Sequence, residues 1–299
     1  MKIHGSYGDR IFDAINTTIV ALITLIFLYP LVYVVSCSIS DPLVVGKAGV
    51  TLLPVNIDFN AYAKVFNDKA IMLGYWNTVK YTVTGIAAGV CLTVMAAYPL
   101  SRKDLAGRHI FTFILTFTMF FSGGLIPLYM VCKTLKLINS FWAMILPSAV
   151  SMWNIFVMRT YFTTSIPEEL IESAYIDGAR NMRILLSIVL PLSGSIIAVM
   201  VLFYGVGYWN SYYSALIFLS DSKKYPLQLV LRDILVKSSF SDMVLSQSGR
   251  NVSVLDIGSK YMATIRYACI VVASLPVIML YPFLQRYFVN GIMIGAIKG

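Results

Sequence analysis

Residues 163–191 read TTSIPEELIESAYIDGARNMRILLSIVLP, a polar, acid-rich island set between long apolar runs. Ser165 followed three residues later by Glu168 has the spacing of a capping box, and Pro167 suits the first turn of a helix. Glu168 and Glu169 favour the positive end of that helix. Ile166, Leu170, Ile171 and Ala174 recur at helical spacing and make one apolar stripe. Gly178 can adopt the left-handed conformation that ends the helix, and a second helix is expected from Arg180 to Leu190. The stretch therefore predicts a short amphipathic helix, an elbow, and a return to an apolar phase at Pro191. The competing reading is a helix lying flat on lipid. Four acidic residues within ten positions, 168–177, would be repelled by anionic headgroups, so a protein groove lined with basic groups is the better partner.

The surroundings of the island fix the solvent. Of 299 residues, 58% are hydrophobic and 12% charged, whereas about 25% charged is usual for a soluble domain. A span needs about 20 mostly apolar residues, and six stretches qualify: 11–39, punctuated by Pro30, then 76–100, 109–130, 141–162, 188–219 and 261–288. Each is expected to be a helix, because lipid offers no partner to an open backbone. The fold class expected is an all-α polytopic membrane protein of six transmembrane helices. An even number of spans puts both termini on one side, with loop 101–108 and segment 163–187. Lys and Arg number about 10 on that side and about 11 on the other, so the positive-inside rule leans only on the density of Arg102, Lys103 and Arg108. Gly85 and Gly89 form a G-x-x-x-G, with Gly205 and Gly207 in the fifth span; small faces of this kind let helices approach closely.

The missing chemistry narrows the function. The net charge of +9 is dispersed between apolar runs with no basic cluster longer than two residues, which suits membrane-flanking loops and not nucleic acid. No acidic residue lies in a span core, so an ion-driven carrier lacks its usual intramembrane carboxylate. The only histidines, His4 and His109, supply neither a catalytic triad nor a metal site, and Cys37, Cys91, Cys132 and Cys269 lack metal or disulfide spacing. Val34-Val35-Ser36-Cys37 resembles a lipobox, but the apolar run before it is too long for a signal-peptide core, and the segment is read as an uncleaved span. No G-x-x-x-x-G-K-[ST] phosphate loop occurs. A passive conduit, or a subunit driven by a partner, remains.

Glu172-Ser173-Ala174, then Gly178, then nine residues to Ile188-Val189-Leu190-Pro191, resembles the E-A-A–x3–G–x9–I-x-L-P loop of ABC-importer permeases, with Ser173 in place of the first alanine. Asp177-Gly178-Ala179, Ala97-Tyr98-Pro99-Leu100-Ser101-Arg102 and the C-terminal 285–299 stretch extend the resemblance over nearly the whole chain. It is most similar to carbohydrate permeases related to the smaller subunit of the maltose importer, in a branch associated with complex oligosaccharides. That resemblance implies a type I ABC importer permease fold as a single transmembrane domain over 1–299, in a bacterial cytoplasmic (inner) membrane with both termini cytoplasmic. It implies a cytoplasmic coupling loop at 163–190, an extracytoplasmic loop at 220–260 that could probe a sugar-binding protein, and a cytoplasmic tail at 290–299. Glu168, Glu169, Glu172, Ser173, Ala174, Asp177, Gly178, Ala179 and Pro191 would form the ATPase-coupling element. Partners implied are a second, different permease, two copies of an ABC ATPase, an extracytoplasmic binding protein and membrane lipid. The chain would bind no cofactor or metal; ATP and Mg would sit in the ATPase, and this chain would not be an enzyme.

The substrate would be a sugar, with an oligosaccharide expected; a permease for a non-sugar solute is the alternative. Sugars stack on aromatic faces and hydrogen-bond to amides and hydroxyls. Tyr208, Trp209, Asn210, Tyr212 and Tyr213, with Trp153 and Asn154 in the fourth span, are the candidate pathway residues. An aromatic belt at the membrane surface is the competing reading of the tyrosines.

Overall fold

The computed structural model describes residues 7–46, 49–50, 52–236 and 264–280, together with 282 and 285. Every regular element among them is helical. The chain divides into two compact units, residues 1–69 with 231–274, and residues 70–230 with 275–299.

The first unit contains α1 (Tyr7–Ser38), α2 (Pro42–Gly46) and α3 (Asn60–Asn67). Helix α1 is long and apolar enough to cross a membrane, and the most apolar window along it has no buried residue. Its C-terminal end is different: Ser36, Cys37, Ser38 and Ser40 are buried. Their hydroxyls stitch the helix to the following loop, Ser36 donating to Leu52 O at 2.6 Å, Ser40 accepting from Val55 N, and Ser38 pairing with the Tyr62 hydroxyl at 2.8 Å. Cys37 thus sits inside a packed, polar helix end.

The second unit is organised by α4 (Lys69–Ser101), the other helix long enough to span unaided. Gly74, Thr78, Tyr81, Gly85, Gly89, Thr93 and Ala97 recur at three- and four-residue steps and are all buried, so they lie on one face. Then follow α5 (Arg108–Phe120) and α6 (Leu125–Thr134), α7 (Trp142–Ile145) with a 3₁₀ turn at Leu146–Ser148, α8 (Met152–Ser165) and α9 (Glu168–Ile176). The chain continues with α10 (Asn181–Leu192), α11 (Gly194–Trp209) and α12 (Tyr212–Phe218); α13 (227–236) and α14 (Thr264–Leu280) each contribute residues to both units.

Three of the expected spans are broken. The run 109–130 is two helices bent by 110°, because Gly124 takes φ +83 and Gly123-Gly124 cannot hold the ladder. The run 141–162 is divided at residues 149–151, where Ser151 turns extended and caps α8 by accepting from Asn154 N. The run 188–219 bends by 83° at Ser193, four residues after the end of a π-helical stretch, Leu185–Val189, and two after Pro191. Proline has no N–H to give the ladder and its ring crowds the preceding turn, which is where π turns and kinks arise. The sixth run is helical over 264–280 and at 282 and 285; its other residues lie outside those described.

The G-x-x-x-G serves ring packing and not backbone contact. A Cβ on Gly85 would lie 2.3 Å from the Tyr208 ring, and one on Gly89 2.8 Å from the Tyr204 ring. Four-residue steps on α4 match four-residue steps on α11, so two tyrosines lie flat in two glycine notches. Gly205 approaches Ile86 at 3.3 Å, whereas Gly207 has open space where its side chain would be. Gly85→Ala is expected to destabilise the protein by about 1–3 kcal/mol through overpacking. Thermal unfolding in detergent should show this drop, with Gly207→Ala as an unaffected control.

Candidate functional site

Two sites lie along α4. The elbow is at its C-terminal end. Helix α8 continues through Ser165, its hydroxyl-bearing last turns held by Thr163 and Thr164 donating back to Arg159 O and Thr160 O. Ser165 is therefore inside the previous helix and makes no capping box. Ile166, preceding a proline, is held extended at φ −106, ψ 114, and Pro167 is the N-cap without a side-chain bond. Glu168 reaches across to Lys103 in the loop after α4 instead. That pair is exposed, so it orients more than it stabilises.

The other end of α9 follows the expectation. Gly178 takes φ +79, its N–H donates to Tyr175 O at 2.9 Å, and Ala179 N–H donates to Ala174 O at 2.9 Å. This is the Schellman pair of bonds, completed by Ala179 packing on the core that holds Ala174. A Cβ at Gly178 would touch nothing within 4 Å, so the backbone angle alone demands glycine. The Tyr175 hydroxyl donates to Asn181 Oδ1 across the elbow, and the Arg102 guanidinium stands 5.5 Å over the Tyr175 ring. Consecutive residues Arg102 and Lys103 thus hold the two ends of α9. Ser173 donates to Glu169 O, which accommodates the departure from alanine on an exposed face.

Ile166, Ile171 and Ala174 are buried under α9, but Leu170 is 45% exposed. Glu169, Glu172 and Asp177 are exposed and carry no ion pair among the described residues. Ile176 is 87% exposed, an apolar tip among acids. The pattern of alternating stripe and acid concealed it, since one residue past Tyr175 it shows no partner at helical spacing. From the elbow, α10 buries Ile184, Leu185 and Val189 in the same core as Met200 of α11.

The second site is a cavity of about 750 Å³ between α7, α8, α11 and α12. Trp153, Asn154, Tyr208, Asn210 and Tyr213 line it, as do Ser148, Ser151, Tyr204, Ser211 and Ser214; none of the lining residues is charged. Two expected pathway residues are elsewhere: Trp209 is buried edge-on to Tyr75 at 5.7 Å, and Tyr212 is 44% exposed outside the lining. Tyr208 and Tyr212 do not share a helical face, because α11 ends at Trp209 and Asn210 breaks the period. The Tyr208 hydroxyl donates to Ile145 O at 3.0 Å, so its ring carbon is what it offers the cavity. Tyr204, one of the aromatics crowded into the fifth run, is a hub: its hydroxyl pairs with Thr93 at 2.7 Å and accepts from Ser151 N at 3.2 Å. The signal was Gly89 with Thr93 one turn on, a notch followed by a hydroxyl.

At the far end of α4, Asn77 donates to Lys223 O and Tyr225 O, Tyr81 to Lys224 O, and Thr78 accepts from Leu227 N. Asn139, at φ +58, accepts from Ser220 N and Asp221 N on the same turn. The first residues of the 220–260 loop are thereby fixed; 237–260 lie outside the described residues.

The model of the binding-protein-dependent transport system inner membrane component family matches residues 2–294. A polygalacturonan/rhamnogalacturonan transport system permease protein of Bacillus subtilis (strain 168) is 38% identical over 97% of this chain and 99% of that protein. An arabinooligosaccharides transport system permease protein of Halalkalibacterium halodurans is 26% identical over 93% of this chain and 94% of its own length. Among solved structures, a bacterial ABC transporter involved in import of the acidic polysaccharide alginate has a chain that superposes with TM-score 0.83 at 35% identity, over 96% of this chain and 100% of that one.

Gly178→Val is expected to abolish substrate-stimulated ATP hydrolysis by the assembled complex, because a β-branched residue is strained at positive φ. Gly178→Asn, which tolerates the left-handed region, should retain most of it. Equal activity in both variants would remove the elbow's backbone requirement.

Proposed function

Because the chain belongs to the binding-protein-dependent transport system inner membrane component family, we propose that it is one of two unlike permease halves, seated on two copies of an ABC ATPase. It is a multi-pass component of the cytoplasmic membrane, a transporter subunit and not a catalyst, in an ABC importer of sugars and oligosaccharides. ATP and Mg belong to the ATPase. An extracytoplasmic binding protein delivers the sugar.

Six crossings account for the helices: α1, α4, the bent pair α5–α6, the α7–α8 pair, the bent pair α10–α11, and the segment begun by α14. With six, both termini and the elbow face the cytoplasm. Helix α9 is the coupling helix. The observation that carries this reading is its construction: a rigid, Schellman-capped helix held at both ends by Arg102 and Lys103, presenting Ile176 and unpaired Glu169, Glu172 and Asp177 outward. An apolar tip ringed by acids suits a basic-rimmed cleft on the ATPase. ATP-driven closure moves α9, and α10–α11 carries that motion to the cavity wall.

The cavity is the sugar pathway on this side of the pore. Serine hydroxyls, Asn154 and Asn210 meet sugar hydroxyls, and Trp153 and Tyr213 meet ring faces. A polyamine is disfavoured, since no acidic side chain is among the cavity's lining residues. The relatives named for polygalacturonan and alginate make a uronic-acid oligosaccharide the first substrate to try.

Tagged chain, expressed with its neighbouring genes, should retain a second permease and an ATPase in mild detergent. Glu172→Lys combined with Gly178→Val should release the ATPase and keep the permease. Recovery of the chain alone from a folded preparation would overturn the reading. Asn210→Leu should lower uptake of labelled oligogalacturonide by about tenfold without loss of assembly, the equivalent of about 1.4 kcal/mol for one lost polar contact. Unchanged uptake would remove Asn210 from the pathway.

A further inference from the structure

On the proposed topology the outer side carries about 11 Lys and Arg, where the positive-inside rule calls for few. Four of them, Lys133, Lys136, Lys223 and Lys224, lie on two turns of the second unit that Asn139 joins. The Asn139 N–H donates to Phe218 O at 2.7 Å, its side-chain oxygen accepts from Ser220 N and Asp221 N, and Lys224 Nζ donates to Asn139 O at 2.7 Å. Lys133, Lys136 and Lys223 are exposed, and none of the four lysines has an ion pair among the described residues. Asp221 is the acid in these turns, and its carboxylate accepts from the Lys223 backbone N–H.

The backbone holds these cations against its own preference, twice. The Lys136 N–H donates to Lys133 O and the Leu137 N–H to Cys132 O, the Schellman pair of bonds at the end of α6, so Lys136 takes φ +55 in the position where glycine is favoured. A side chain is strained there by its Cβ. The α6 C-terminus attracts a cation, which accounts for Lys133 in its last turn but not for a lysine in place of glycine. Lys223 and Lys224 precede the first turn of α13, an end that disfavours cations. Their carbonyls are nonetheless held from α4, Lys223 O by Asn77 and Lys224 O by Tyr81. The main chain is fixed while the Lys223 side chain is left in solvent.

These turns adjoin the uncharged cavity. Ser214 lines it, and Phe218, one helical turn further along α12, is the residue bonded to Asn139. An anion entering the cavity meets no countercharge among its lining residues; the four ammonium groups beyond its end supply one. An acidic face of a docking protein is the other occupant that such charge fits. Protein interfaces, however, enrich arginine and deplete lysine, and these turns hold four lysines and no arginine. A hydrated point charge on a flexible stem suits a ligand in transit, whereas the arginine fork fixes its partner. We propose that Lys133, Lys136, Lys223 and Lys224 form an entry site for the carboxylates of an acidic oligosaccharide. The site rests on the cavity being the sugar pathway and on these turns being extracytoplasmic.

The test uses the assembled transporter and two probes, trigalacturonate and its full methyl ester, which keeps the rings and removes the charge. Equilibrium binding is measured on the complex in detergent without the binding protein, and uptake in proteoliposomes with it. Wild type should bind trigalacturonate about fivefold more tightly than the ester, with the difference lost at high salt. Lys136→Gly combined with Lys223→Gln should remove that preference and leave ester binding unchanged. Its thermal unfolding should match or exceed wild type, because glycine relaxes the end of α6. Lys223→Arg should keep the preference. In uptake, the double variant should raise the half-saturating concentration of trigalacturonate and not that of the ester. Equal binding of the two probes by wild type, or an unchanged preference in the double variant, would overturn the proposal. Equal loss of uptake for both probes, with a raised half-saturating concentration of the binding protein, would assign the lysines to protein docking and also overturn it. If wild type binds trigalacturonate selectively but transports neither probe, the sugar-pathway reading fails and the anion site stands.

Discussion

The constraint on which the second unit depends is the buried face of α4. Gly85 and Gly89 offer no side chain, so the rings of Tyr208 and Tyr204 occupy the space where Cβ atoms would be. Membrane helices gain little from burying apolar area, since lipid tails are equally apolar, so close fit and hydrogen bonds must hold them. Here both occur together: each ring lies in a notch, and each hydroxyl reaches past it to a polar partner, Ile145 O or Thr93. The same face continues one way through Thr78 and Asn77 to the 222–227 turn, and the other way through Ala97 and Tyr98 to the elbow. One helix thus positions both ends of the unit and one wall of its cavity.

Against this straight element, the other segments are bent at chemically specified points. Gly124, Ser151, Pro167, Gly178 and Pro191 each mark a break, by positive φ, by capping, or by a missing N–H. Breaks leave backbone groups open, which lipid does not tolerate unless protein or a water-lined cavity covers them. The break at 149–151 and the one at 210–211 both border the uncharged cavity. Irregular backbone and polar cavity are therefore two aspects of one arrangement.

The family and the elbow were legible because they rest on local chemistry. Gly178 needs its φ whatever surrounds it, and Pro167 forces Ile166 extended whatever follows. The straightness of the spans was not legible, since hydropathy reports the solvent around a segment and not the path of its backbone; Ser193 bends a run that has no charged residue. The capping box failed for a related reason. Ser165 has the right spacing, but α8 arrives as a helix and leaves Ser165 no extended conformation from which to cap. Likewise Tyr208 and Tyr212 share a face only on an unbroken helix, and the role of Tyr204 depended on a partner, Thr93, distant in sequence.

Arg102 and Lys103 tie both ends of α9 to the end of α4, and Asn77, Thr78 and Tyr81 tie the other end of α4 to the 222–227 turn, so the central claim is that motion of α9 carries the elbow, α4 and that turn as one body. Its most direct test is a pair of spin labels on the assembled transporter, with native cysteines replaced, at Ile176→Cys on the elbow and Ser222→Cys on the 222–227 turn. Double electron–electron resonance distances are measured with and without ATP under non-hydrolysing conditions. A distance distribution that stays the same, while a label at Tyr213 in the cavity changes its accessibility to water, is the expected result. A shift of the elbow-to-turn distance on ATP binding would contradict the claim, since it would mean that α4 flexes or that the elbow slides along it.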